Sequence, residues 1–340
     1  MNDQTFALET LRPPRDAAGE VRGFATGRRA DFLKRYGEHS MAFSTMQPGM
    51  SYHDRLGVGY LAYARHWGIH FALADPVCDP RDVETMIDGF LDAHPNAVFA
   101  QVSEPVADIL HRRHGFYATQ FGSESRVPLR DWDLRGSRKQ IIRTAVNQAR
   151  QQGIEVREGR CEQQTRAISE AWIRTRKCKS NEIRFLIRPM LMDYVEGTRH
   201  FYAWRGDEAL GFIHFDPIYR DGRVVGYVPN ISRACPSFRQ GLWYPMMVHA
   251  MDVFKGEGIE YLDMGLIPLL LDERMEARES AALRLVLDAI LRWGHSLYNF
   301  RGVAFAKSRF DGELRKSYFC HRQPLPALAA TAMFRLTRLI

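Results

Sequence analysis

A lysine and an arginine stand two residues apart near the end of the chain, in Ala306-Lys307-Ser308-Arg309-Phe310. Cations so placed would stabilise negative charge developing on an oxygen or carried by a phosphate; a surface pair on a final strand is the alternative. Asp263, in Leu262-Asp263-Met264-Gly265, offers a carboxylate for proton transfer or, equally, a turn or cap. Asp216 precedes a proline, which favours a structural turn, although it also suits a cleft wall. Asn230, Ser232 and Arg233 follow a strand rich in Gly and Tyr, where polar groups would orient oxygens of a ligand. Glu182, Arg184 and Arg188 carry charge that would meet phosphate or pair with carboxylates, and the two arginines share a face if the segment is helical. The sequence has no nucleophile elbow. Its five cysteines are scattered without zinc spacing, so no metal is expected and reduced, structural thiols are.

The 340 residues, 45% of them hydrophobic, are enough for about two domains. The net charge of +7 is unevenly spread, since residues 135–188 hold fourteen Lys or Arg against five Glu, a local net of +9. Such clustering fits a polyanion, with a solvated helix face as the plain alternative. Within it, Ser137 is expected to cap a helix that buries Ile141, Ile142, Ala145, Val146 and Ala149 and ends at Gly153, leaving Arg138, Lys139, Arg143 and Arg150 for a nucleic-acid backbone. No apolar run would span a bilayer and no secretory signal is evident, which points to the cytosol.

The elements that must hold these residues follow from punctuation and periodicity. Tyr60–Pro76 and Phe201–Pro217 align without a gap at an offset of 141 residues, each reading as two short strands closed by Asp-Pro. Two related domains are the inference, coincidence between ordinary hairpins the alternative. After the first copy come a helix with Val83, Met86, Ile87, Phe90 and Leu91 on one face, a strand Asn96–Val102, a helix from Pro105 to Gly115, and closing strands in FYATQFG and SRVPL. After the second come a strand RVVGYVPNIS, a helix from about Trp243 to Lys255, a strand IEYLDMG and a helix around ESAALRLVLDAILRW.

This order resembles the GNAT acyltransferase fold, with LHRRHGFYAT similar to its late helix and Gly-Phe turn. More specifically, SRKQIIRTAVNQARQQG, NISRACPSFRQGLWYPMM, YLDMGLIPL and above all YNFRGVAFAKSRFDGELRKSYF resemble the catalytic region of the aminoacyl-phosphatidylglycerol synthase family, of which the chain looks like a stand-alone member. The resemblance implies an α/β (α+β) chain of two tandem GNAT-like domains, each a mixed, mostly antiparallel sheet flanked by helices. Residues 1–134 would form the first domain and 135–325 the catalytic one; 326–340 would form a basic amphipathic helix that packs on its own domain or touches a membrane. It implies transfer of an amino acid from aminoacyl-tRNA, a co-substrate with no further cofactor, to a lipid or small-molecule hydroxyl or amine. Lys307 and Arg309 would then face the ester or terminal phosphate, and Asp263, at the splay of the second sheet, would accept a proton or hold the α-ammonium. Arg233 matches a family position near the cleft. An acyl-CoA-dependent acyltransferase would need a clear pyrophosphate loop, of which Arg239-Gln240-Gly241 is only an echo; a non-catalytic RNA- or membrane-binding relative is the other alternative.

Overall fold

In the computed structural model, which describes residues 22–175, 184–190, 195–236, 241–293 and 300–338, the chain lays down two similar series of elements. The first comprises α1 (Arg22–Tyr36), β1 (Ser51–Arg55), β2 (Gly59–His66), β3 (Ile69–Leu73), β4 (Val77–Cys78), α2 (Val83–Ala93), β5 (Ala97–Val102), α3 (Glu104–His114) and β6 (Tyr117–Pro128). The second comprises α4 (Gln140–Gln151), β7 (Ile154–Glu158), α5 (Glu162–Arg174), β8 (Arg199–Arg205), β9 (Glu208–Arg220), β10 (Arg223–Ala234), α6 (Trp243–Gly256), β11 (Tyr261–Pro268), α7 (Ala281–Trp293), α8 (Phe300–Ser308), β12 (Glu313–His321) and α9 (Ala327–Leu336).

Each series runs through three antiparallel strands, then a helix, then a strand parallel to the third: β1-β2-β3, α2, β5 and β8-β9-β10, α6, β11. This is the GNAT-like plan, present twice. The sequence repeat, however, is displaced by one strand. Its offset superposes β2–β3 on β8–β9, whereas by topology β2–β3 corresponds to β9–β10. The first Asp-Pro does end β3, but Asp216-Pro217 lies inside β9. There β8 covers β9 only as far as Phe215, so the proline's missing N–H falls beyond that ladder.

The two sheets merge into one, in the order β1-β2-β3-β5-β12-β6-β11-β10-β9-β8-β7. Strand β12, from the far end of the sequence, lies between β5 and β6 of the first series, and β6 in turn pairs with β11 of the second. FYATQFG and SRVPL are one continuous strand. Gly122 reads as a break but marks close approach: a Cβ there would lie 2.7 Å from the Ile267 carbonyl oxygen and 2.8 Å from Leu266.

Each half keeps an aromatic-rich core under its helices, where every large apolar side chain contributes on the order of 1.5–3 kcal/mol by leaving water. In the first, Met86, Ile87 and Phe90 of α2 meet Phe99 and Phe116; in the second, Ile142, Met247, Met251 and Phe254 meet Phe201, Ile213, Phe215 and Leu262. Two details of the basic helix differ from expectation. Ser137 opens a short 3-10 turn and makes no side-chain cap, so α4 proper starts at Gln140; Ile141 is exposed because that turn rotates it out of the core stripe. The C-terminal α9 buries Ala329 and Ala332 against the first series, in a cluster with Phe71 and Leu73, and leaves Leu328 exposed.

Candidate active site

Strands β10 and β11 are paired at only two positions, Gly226 with Tyr261 and Tyr227 with Leu262, and then part. Asp263 is the first residue of β11 past that contact. Beyond it a bulge interrupts the β6–β11 register between Asp263 and Leu266. Gly265 makes the bulge with φ +67°, and its amide donates to Asp263 Oδ1 at 2.9 Å. The left-handed φ favours glycine at this position, where a Cβ would also press on Val228 at 3.3 Å.

Lys307 enters the parting from α8, its Nζ donating to the Leu266 carbonyl at 2.8 Å. The alternative of a surface pair on a final strand does not hold, since AKS ends a helix, and Lys307 turns inward while Arg309 lies with its guanidinium 4.1 Å from the Phe305 ring. From β6, paired alongside, Glu124 and Arg126 project onto the face that carries Asp263, and both are buried. Arg126 Nε is 3.5 Å from Asp263 Oδ2, within ion-pair range, yet neither atom completes a hydrogen bond. The Arg126 guanidinium lies 3.9 Å from the Tyr261 ring centre and reaches Glu38 at 3.5 Å. Gln101, on β5, donates through Nε2 to Glu124 Oε1 at 3.1 Å. It holds φ +59° where β5 and β12 slip register, a conformation that costs a non-glycine residue about 1–3 kcal/mol.

Burial and the neighbouring Glu124 carboxylate raise the Asp263 pKa to about 6, against the lowering influence of Arg126 and the Gly265 amide. Burial lowers Lys307 to about 8, against the pull of Asp263 and Glu124. Both groups therefore change protonation close to neutral pH, as an acid–base pair at a reacting centre requires. Glu124, Arg126 and Gln101 were missed in the sequence. Their signal was two charges at a spacing of two in a strand that otherwise reads as buried, obscured by reading FYATQFG and SRVPL as separate strands.

A second polar cluster lies on the same face of β9 and β10. Arg188 grips Asp216 through Nε (2.8 and 3.0 Å) and Nη2 (2.5 Å), and Asn230, the bulged residue of β10, donates to Asp216 Oδ2 at 2.6 Å. Arg188 and Asp216 are almost wholly buried, so Asp216 is neither turn nor free carboxylate but the anchor of an ion pair. Arg184 and Arg188 share no helix, because residues 184–190 are irregular; Arg184 instead meets the carbonyls at the end of α9. Arg233 is buried with its guanidinium 5.0 Å from the Trp172 ring, and Ser232 alternates to the other face of the strand. His200 and His214 stack at 3.7 Å beside Arg188, and burial lowers both pKa values, to about 4 and about 2. Glu182, Arg239 and Gln240 lie outside the described residues.

The basic helix spends much of its charge on its own linker. Arg138 pairs with Asp311 at 2.7 Å, Lys139 donates to the Asp133 carbonyl at 2.8 Å, and Arg143 donates to the carbonyls of Leu134 (2.5 Å) and Gly136 (2.8 Å). Arg150 is exposed.

Two GNAT-like units share one sheet, with charged side chains gathered where the second unit opens, and the chain's family match makes the protein a transferase by class. The match of residues 30–321 to the family model described as "Phosphatidylglycerol lysyltransferase, C-terminal" places the chain in that family. Its fold is that of L-PGS from Bacillus licheniformis, at TM-score 0.76 and 18% identity over 92% of this chain and 96% of that one. It is also that of the C-terminal domain of a putative lysylphosphatidylglycerol synthetase from Agrobacterium fabrum, at TM-score 0.75 and 18% identity over 91% and 95%. An uncharacterized protein of Corynebacterium glutamicum is 22% identical over 281 residues; this chain spans 35% of that relative's length, and the match covers 78% of this chain. Among the described residues no helix is long and apolar enough to cross a membrane, and no cluster of His, Cys, Asp or Glu is arranged to hold a metal ion.

Proposed function

We propose that the chain transfers an amino acid from aminoacyl-tRNA to an acceptor hydroxyl, with a phosphatidylglycerol-type lipid as the first candidate acceptor and a soluble hydroxyl or amine as the second. The observation that carries this reading is the inward-turned Lys307 beside Asp263 at the parting of β10 and β11. The acceptor oxygen attacks the carbonyl carbon of the aminoacyl ester and gives its proton to the Asp263 carboxylate. Lys307 stabilises the tetrahedral oxyanion. The bond to the terminal ribose then breaks, and the departing ribose oxygen takes the proton back. The ester is already activated, so positioning and charge stabilisation supply most of the acceleration, and no covalent enzyme intermediate is needed.

In this reading Arg138, Lys139, Arg143 and Arg150 form the flank toward the tRNA backbone, with Arg150 its most available charge. Arg188, Asp216 and Asn230 fix the bulged stretch of the paired β9 and β10 beside the gap rather than touching the reacting atoms, and the exposed Leu328 of α9 offers a shallow membrane contact. Charged bulk tRNA incubated with the protein tests the reading: deacylation should accelerate on adding phosphatidylglycerol vesicles or a soluble extract. If acetyl-CoA is consumed and charged tRNA is untouched, the acyl-CoA alternative replaces it.

A further inference from the structure

Beside the acid–base pair, on the strands that continue the sheet from β11, lie two hydrogen-bond acceptors that the transfer step does not use, and they come from the first half of the chain. Glu124 is on β6 and Gln101 on β5. The Gln101 amide turns its Nε2 toward Glu124, donating to Oε1 at 3.1 Å. That orientation leaves Gln101 Oε1 as a buried acceptor with no hydrogen-bond partner, in a residue only 1% exposed. Carboxylate and amide oxygen side by side favour a group with several N–H donors and a positive charge.

Resting on the aminoacyl-transfer reading, we propose that Glu124 and Gln101 bind the α-ammonium of the amino acid being transferred, so that the first half of the chain selects a donor with a free amine. The charges support it. Glu124, Asp263 and Glu38 face Arg126, Lys307 and the incoming ammonium, with Arg126 shared between Asp263 and Glu38 at 3.5 Å each. The roles of the two carboxylates separate: Asp263, adjoining the bulge, takes the proton, and Glu124, on the neighbouring strand, holds the substrate.

The test compares charged bulk tRNA with the same tRNA after acetylation of its α-amines, each given to the wild-type protein with acceptor present. The free amine should be transferred at least about tenfold faster, in line with pairing a buried carboxylate. The variants E124Q and Q101M should shrink that preference, mainly by slowing the free-amine donor. Because the wild-type comparison needs no variant, a folding defect in E124Q does not decide the matter, and Q101M leaves the charge intact. Equal rates for the two donors would overturn this inference and leave the transfer reading standing. Failure to consume either donor would overturn the transfer reading, and the inference with it. A uniform slowing of both donors in Q101M and E124Q would show a structural role and also overturn it.

Discussion

The two halves open their sheets at corresponding places with opposite results. In the first, β3 and β5 stay paired over four positions, the Ala74 amide continues the ladder to the Ala100 carbonyl, and Asp75 closes the end by accepting from the Ser103 amide at 2.8 Å. Its walls are Ala72, Leu73, Ala74 and Ala100, all fully buried. In the second, pairing stops after two positions, and the residues that follow are Val228, Asn230, Asp263 and Gly265, with Lys307 inserted from α8. One scaffold is thus used twice, once sealed with alanine and once parted around charged side chains, where the proposed transfer would take place. The support also crosses over, since β12 completes the first sheet and β6 lines the second site.

The largest expected effect comes from breaking the buried ion pair on β9, beside the open gap. Arg188→Ala leaves Asp216 buried without its cation and should cost about 3–5 kcal/mol in denaturant unfolding. Asp75→Ala, the matching change at the sealed gap, removes one bond from a backbone amide to a carboxylate and should cost about 1.5–3 kcal/mol. Equal losses would mean that the flanks of the two gaps are not held by different means. Lys307→Met should fold and lower kcat for aminoacyl transfer about 10²–10³-fold, the usual loss of an oxyanion donor. A kcat within a factor of two of wild type would remove Lys307 from the chemistry.

The pH dependence sharpens the contrast because only the second gap carries groups poised near neutrality. Transfer should need Asp263 ionised and Lys307 protonated, giving a bell-shaped rate with an acid limb near 6 and a basic limb near 8. For stability the Asp263 sign is the reverse of an ordinary ion-paired carboxylate. Its folded pKa is raised, so its contribution is full at low pH and is lost as the pH rises through about 6. Asp263→Asn should therefore flatten stability between about pH 4 and 6, read from unfolding midpoints, and abolish the acid limb of the rate. The smallest effect concerns the flank: Arg150→Ala should lower the salt slope of tRNA binding by about 1, one phosphate contact, and an unchanged slope would take Arg150 out of the interface.

Much of this arrangement was legible in the sequence, because local signals and local structure agreed. The amphipathic stripe of α2, the Pro105 and Gly115 limits of α3, and the strand through Asp263 follow from periodicity and breakers. What stayed hidden was set by partners far along the chain. Gly122 needs Ile267 beside it to be read as close approach, Asp216 needs Arg188 to be read as an anchor, and β12 needs both halves folded before it has neighbours on either side. The repeat misaligned by one strand for a similar reason: apolar hairpins resemble each other, and only pairing distinguishes β8–β9 from β9–β10.

Single-turnover deacylation of charged bulk tRNA, with phosphatidylglycerol vesicles present and wild type set beside Lys307→Met and Asp75→Ala, tests the division of labour most directly. Wild type and Asp75→Ala should discharge the tRNA at comparable rates and Lys307→Met at least about a hundredfold more slowly. Comparable rates for wild type and Lys307→Met, or discharge that depends on Asp75 and not on Lys307, would contradict the assignment of chemistry to the second gap.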